Sequence, residues 1–110
     1  MSTPNLCTPL ILEEPERVSD GMGGHQLHWR PVARLWAEMR SGAGRERAGQ
    51  VGPLSVNNWK ITLRGARPGD PRRPRPEQRL RMATRIFVID AVAEGGADGR
   101  WLTCFAHEEN

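Results

Sequence analysis

Histidines and cysteines are the residues of this chain best suited to bind a metal ion. His25 and His28 flank a glycine-rich turn, but no thiolate and no third ligand is near them in the sequence. A structural zinc site needs four protein ligands and a catalytic one needs three. His107 stands apart near the C-terminus, and Cys7 and Cys104 show neither CxxC spacing nor a histidine partner. The sequence therefore predicts no metal site. It also predicts that both cysteines are free and unreactive thiols, as expected in a reducing cytoplasm.

Nucleophile and phosphate-loop patterns do not stand out either. Ser41 and Ser55 lack the Gly-x-Ser-x-Gly setting of a serine nucleophile. The glycines at 21, 23 and 24 lack the strand before and the helix after that a phosphate loop requires, so they predict a turn. Three carboxylates lie close together in the sequence: Glu13, Glu14 and Glu16. We interpret them as an acidic strand edge that faces solvent or an arginine-bearing neighbour, rather than as a pair for acid–base catalysis. We therefore predict no catalytic residue, no cofactor and no enzymatic activity.

Arginine supplies 15 of the 16 cationic residues, the exception being Lys60. Residues 64–81 hold seven arginines against Asp70 and Glu77, a net charge of +5. Four prolines, at 68, 71, 74 and 76, prevent a regular strand ladder and predict an extended loop over residues 65–78. Such a loop could grip phosphate, stay disordered, or become ordered against an acidic partner. The sequence leaves these three readings open.

Four tryptophans accompany these arginines, and the chain has no tyrosine. Indole rings beside guanidinium groups could stack on the bases of single-stranded nucleic acid. Trp59 and Trp101, however, lie within alternating strand patterns, so burial in a core or an interface explains them more simply.

The size and composition of the chain limit what it can bury. Its 110 residues suffice for one domain, 37% of them are hydrophobic, and glycine and proline together supply 21. Domains of this kind often gain stability from neighbours in an assembly. We find no signal-peptide pattern, and the longest apolar run, residues 86–89, is too short to span a membrane. We therefore expect a protein of the cytoplasm with no membrane partner.

The first half of the chain predicts an arm and two elements. Residues 1–9 contain two prolines and form an extended arm, and residues 10–12 begin a strand that continues into the carboxylates. Pro15 places this strand at an edge or breaks it. Residues 28–40 are ambiguous. Alternation with a period of two predicts a strand. The local pattern slightly favours a helix, because an apolar stripe with helical spacing is formed by Val32, Leu35, Trp36 and Met39.

The second half predicts an excursion and then strands. Residues 41–53 are glycine-rich and hold at most a short helical turn near residues 45–48. Strands are predicted over residues 54–64, 80–84, 85–92 and 101–107, with a hairpin turn over 94–99. The fold class is mainly β: a small β-barrel or sandwich of five to six strands, as one domain over residues 10–108 with loops at 41–53 and 65–79. The predicted core includes Leu35, Ile61, Ile86, Val88 and Phe105.

Ordered motifs along the chain resemble one known family. Residues 12–24 (Leu-Glu-Glu-Pro-Glu-Arg-Val-Ser-Asp-Gly-Met-Gly-Gly) and 29–37 (Trp-Arg-Pro-Val-Ala-Arg-Leu-Trp-Ala) are similar to the start of the phage head–tail adaptor, or head-closure, family. Residues 58–64, 79–92 and 101–108 are similar to its later strands. The resemblance spans roughly residues 6–108, and the arginine content also resembles versions carried by gene transfer agents.

The resemblance implies a function and partners. It implies strand for residues 28–39, and a barrel whose copies form a ring, a hexamer or a dodecamer, below a portal or adaptor ring. Such a ring closes the DNA channel after packaging and presents a surface to a tail protein. The protein would therefore become part of the particle at its head–tail junction. The family also implies that residues 42–53 face the ring centre, where Arg45 and Arg47 would meet packaged double-stranded DNA.

Protein docking is the role we expect for the remaining charged residues. In a cyclic ring, neighbours meet through different surfaces, so acidic and basic patches should lie on different sides of each subunit. The expected docking residues are Arg67, Arg72, Arg73, Arg75, Arg79, Glu13, Glu14 and Glu16. The main alternative is an oligonucleotide-binding β-barrel that uses tryptophan and arginine directly.

Overall fold

The computed structural model describes residues 3–41, 57–96 and 98–109, and their regular structure is β. The strands are β1 (Thr8–Ser19), β2 (His25–Ser41), β3 (Asn57–Arg64), β4 (Arg79–Met82), β5 (Arg85–Gly95) and β6 (Trp101–Glu109). All neighbours are antiparallel, and the order β1-β2-β3-β6-β5-β4 closes on itself as a barrel. The prediction of a mainly β chain with about six strands is confirmed. The predicted excursion of residues 42–53 lies outside the described residues.

Residues 28–39 form strand, as the resemblance implied, and the helix that the local pattern slightly favoured was wrong. β2 runs without interruption over these residues, but its register against β1 shifts: Leu12 lies opposite Ala33, while Glu13 lies opposite Pro31. Val32 is therefore an extra, bulged residue. Within the part of the chain that the structure describes, no helix is long and apolar enough to cross a membrane.

The barrel interior contains a single apolar cluster contributed by all six strands. Its largest members are Phe87, Leu80 and Ile61, each with no exposed surface. The remaining buried apolar residues are Leu10, Leu12, Ala37, Leu63, Ile89, Leu102, Cys104 and Ala106.

The predicted core was right at Ile61 and needs correction elsewhere. Leu35 is only partly buried, although it packs against the cluster. Ile86 and Val88 are half-buried on the outer face, because Phe87 and Ile89 are the residues of β5 that point inward. Phe105 also lies on the outer face and is 43% exposed.

A two-stranded hairpin extends beyond the barrel. β1 pairs with β4 only from Ile11 to Glu13, and β2 pairs with β3 only from Ala37 onward. Among the described residues, residues 14–19 and 25–30 consequently pair only with each other, and we call residues 14–30 the hairpin arm. Pro15 lies in this arm, so its predicted edge position is confirmed.

Candidate functional site

Glu13 is the centre of an ion cluster on the outer face of the barrel. β4 places Arg79 directly opposite Glu13 and Arg81 opposite Ile11. The Nε of Arg79 donates to Glu13 Oε1 at 2.7 Å, and the Nε of Arg81 donates to Oε2 at 2.9 Å. Only 4% of Glu13 is exposed. Burial raises the pKa of its carboxyl, but the hydrogen bonds and charges of the two arginines outweigh burial and hold the pKa below its usual value.

Glu14, the next carboxylate, lies between the hairpin arm and the loop. It accepts a hydrogen bond from Arg30 across the β1–β2 pair, and Arg75 Nη2 lies 3.6 Å from its other oxygen. Glu16 is exposed, and its side chain makes no hydrogen bond or ion pair with the residues that the structure describes. Two of the three predicted docking carboxylates are thus paired within their own chain.

Residues 65–78, which we call the arginine–proline loop, form a series of turns fixed to the barrel rather than a freely extended segment. Pro74 is buried, and Gln78 is 4% exposed. Glu77 N donates to Ile89 O at 3.1 Å, and Ile89 N donates to Gln78 O at 3.0 Å, which anchors the end of the loop on β5. Within the loop, Asp70 Oδ1 accepts from Arg72 N at 2.8 Å.

The arginines of this loop fall into two groups. Arg73 donates to Ala66 O at 2.7 Å and to Glu94 at 3.3 Å, so its side chain stabilises the loop itself. Arg67 and Arg72 are exposed, and neither guanidinium makes a hydrogen bond or an ion pair with the described residues. The guanidinium groups of Arg67 and Arg72 therefore remain available to a partner.

Each tryptophan ring is covered on one face by an arginine. The guanidinium carbon lies 4.2 Å from the ring centroid in Arg79–Trp29, 5.5 Å in Arg34–Trp36, 5.5 Å in Arg85–Trp59 and 6.0 Å in Arg64–Trp101. A base could not stack on the face that an arginine occupies. The pairing gives four of the 15 arginines a contact inside the chain.

One end of the barrel is closed by a group that the sequence did not reveal. Arg85 donates to both oxygens of Glu108, each at 2.8 Å, and its guanidinium lies over Phe87 at 5.2 Å. The hydrogen bond from Arg85 lowers the pKa of Glu108, and the bond to Glu108 raises that of Arg85. The Nε1 of Trp59 is buried beside this group and has no hydrogen-bond partner among the described residues.

Histidines and cysteines do not form a reactive group in the described residues. His25 and His28 are exposed on β2, while His107 Nδ1 lies 2.9 Å from Asp90 Oδ2. The described residues hold no group of three or more histidine, cysteine or acidic side chains placed to bind a metal. Burial raises the pKa of the Cys104 thiol to about 12, and Cys7 is exposed.

A groove separates the arginine–proline loop from the base of the hairpin arm. Its volume is about 600 Å³, and we call it the loop groove. Pro68, Pro71 and Val32 give it an apolar lining. Arg30 and Arg75 share the carboxylate of Glu14 in this lining, while Arg73 pairs with Glu94 outside it. The predicted DNA-facing residues Arg45 and Arg47 lie outside the described part of the chain.

Comparison with known proteins relates the whole chain to one family. The family model described as phage head completion protein matches residues 1–109. No curated protein matches the chain.

Two solved structures share the fold. One chain in the virion of a native gene transfer agent particle is 49% identical, with a TM-score of 0.80 over 98% of both chains. A protein of Shigella flexneri 2a, determined in solution, is 18% identical with a TM-score of 0.71, covering 98% of this chain and 96% of its own. The second likeness concerns the fold alone.

Proposed function

The chain belongs to the phage head completion protein family, and on that premise we propose that it is a structural subunit of the head–tail junction in a phage or a phage-like gene transfer particle. The observation that carries this proposal is the 49% identity to a chain of a gene transfer agent virion, over 98% of both chains. The role is one of binding, without catalysis.

The finer proposal concerns position and partners. Copies of the chain form a ring, hexameric or dodecameric, below the portal or an adaptor ring, close the channel on packaged DNA, and offer a surface to the tail. Arg45 and Arg47 face the DNA in this arrangement. The chain is made in the cytoplasm and ends as part of the particle.

The arginine–proline loop supports a docking role in that ring. The loop is already anchored on the barrel by Pro74 and Gln78, so it loses little conformational entropy when it binds a partner. The free guanidinium groups of Arg67 and Arg72 have the forked geometry that carboxylates accept. An acidic surface of the ring above or of a neighbouring copy is the partner that this chemistry fits.

Deletion of the gene tests the proposal as a whole. Particles assembled without the protein are expected to contain filled heads that lack tails and lose their DNA, and the wild-type gene supplied in trans should restore them. Electron microscopy and nuclease protection of packaged DNA measure both defects. Complete, transfer-competent particles from the deletion strain would refute a head-closure role.

Replacing Arg67 and Arg72 together with serine tests the docking surface. We expect incorporation into particles to fall at least about tenfold, equivalent to about 1.4 kcal/mol, with an unchanged melting temperature. The matched control removes two other exposed cations, Lys60 and Arg100. If the double variant assembles normally but loses affinity for free DNA relative to the control, the oligonucleotide-binding alternative is favoured instead.

A further inference from the structure

The tip of the hairpin arm presents one apolar side chain to solvent. Met22 is 87% exposed, more than any other large hydrophobic side chain among the residues that the structure describes. It projects from an ordered turn, because Asp20 Oδ1 accepts hydrogen bonds from Met22 N at 2.8 Å and Gly24 N at 3.0 Å. The turn therefore holds the methionine away from its own barrel.

The flanking glycines make this tip narrow. Gly21 and Gly23 have φ values of +81° and +87°, in the left-handed region that glycine adopts without strain. A Cβ at either position would meet no atom within 4 Å. The tip thus consists of bare backbone around one flexible side chain, and methionine adapts well to irregular apolar spaces.

The loop groove at the other end of the arm is complementary to this tip. Val32, Pro68 and Pro71 supply apolar contacts, and the groove volume of about 600 Å³ leaves room for a methionine with its adjoining backbone. In the groove Arg30 and Arg75 share one carboxylate, Glu14, whereas Asp20 brings a further carboxylate to the tip. Apolar contact and charge both favour the tip as the occupant of the groove.

Tip and groove do not meet within one chain. Six residues of strand separate the base of the arm from its turn, a distance of about 20 Å at the usual rise. We infer that the hairpin tip of one copy inserts Met22 into the loop groove of the next copy, so that the contact joins two different surfaces. A contact of this type repeats head to tail and can close into a ring. The inference rests on the ring proposed above and supplies its subunit contact.

Disulfide trapping tests the contact in assembled particles. In a Cys7→Ser background, the pair Met22→Cys and Pro71→Cys is expected to give a ladder of disulfide-linked multimers beyond the dimer on non-reducing gels. Met22→Cys alone should give no ladder. Incorporated protein that stays monomeric after oxidation, or that stops at the dimer, would overturn the head-to-tail contact.

A second pair of variants decides the matter if the cysteine protein fails to enter particles. Met22→Asp should lower incorporation at least about tenfold, equivalent to about 1.4 kcal/mol, while Met22→Leu keeps near wild-type incorporation. Both should melt like wild type, since the side chain is exposed in the isolated chain. Normal incorporation of Met22→Asp would refute the inference and leave head closure standing. Complete particles from the deletion strain would refute head closure itself.

Discussion

Replacing Phe87 with alanine is expected to lower the free energy of unfolding by about 3–5 kcal/mol. The Phe87 side chain has no exposed surface and is the largest of the fully buried side chains described. Its ring packs edge-on against Trp59, with centroids 5.7 Å apart, and lies under Arg85 at the closed end of the barrel. Removing it leaves a cavity that the six hydrogen-bonded strands cannot collapse to fill. Urea denaturation at neutral pH measures the loss.

Phe105→Ala is the matched control for this experiment. Phe105 is the other phenylalanine of the chain, but it is 43% exposed on the outer face of β6. Its removal should cost clearly less than the loss at Phe87, because part of its surface is already exposed to water. Equal losses at the two positions would contradict the assignment of inner and outer faces.

Replacing Glu13 with glutamine is expected to destabilise the protein at pH 7 by about 2–4 kcal/mol. The substitution keeps the size of the side chain but leaves Arg79 and Arg81 without their shared counter-charge. Both guanidinium groups are partly buried, so water only partly replaces the lost carboxylate. Glu16→Gln, at an exposed position of the same strand, should change stability by less than about 0.5 kcal/mol. A smaller effect at Glu13 than at Glu16 would contradict the cluster.

Wild type and Glu13→Gln are also expected to differ in their stability at acid pH. Because the pKa of Glu13 is lower in the folded chain than in the unfolded chain, the carboxylate contributes its full stabilisation above the unfolded value of about 4.3. That contribution is lost as the pH falls through the folded pKa. Wild type should therefore lose more stability than Glu13→Gln below about pH 4.3. Parallel acid unfolding curves for the two proteins would contradict the lowered pKa.

The strand–helix ambiguity of residues 28–40 has a physical origin in the bulge at Val32. A regular strand places residues two apart on one face, but an inserted residue shifts that period. Val32 and Leu35 consequently both pack against the core although they are three residues apart, and Met39 joins them. This spacing imitates one face of a helix, so local pattern alone could not identify the strand. The family resemblance could.

The errors in the predicted core come from strands whose composition does not alternate. Residues 86–89 are all apolar, so nothing in the sequence chooses between Phe87 with Ile89 and Ile86 with Val88. In β6 the inward positions are Leu102, Cys104 and Ala106, which are smaller than the outward Phe105. A narrow barrel interior that already holds Phe87 favours smaller partners. The large size of Phe105 therefore indicated the wrong face of β6.

The charged cluster could be predicted only in part. The alternation of Arg79, Leu80 and Arg81 indicates that both arginines share one face of a strand. Their partner Glu13 lies 66 residues from Arg79 in the sequence, and only the closure of β1 on β4 brings them together. The order of charges along the sequence does not show which strands pair. Glu13 and Arg79 were both expected to dock a partner, and only the folded barrel shows that they bond to each other.

Pro15 and Pro31 have a consequence for the free chain before it meets any partner. The two strands of the hairpin arm have outer edges that β3 and β4 do not cover, and unpaired edges are templates for uncontrolled strand addition and aggregation. β1 carries Pro15 within the arm and β2 carries Pro31 directly beyond it, and neither proline has the backbone N–H that an added strand would use. The arm is thereby a poor nucleus for amyloid-like strand stacking between copies of the free chain.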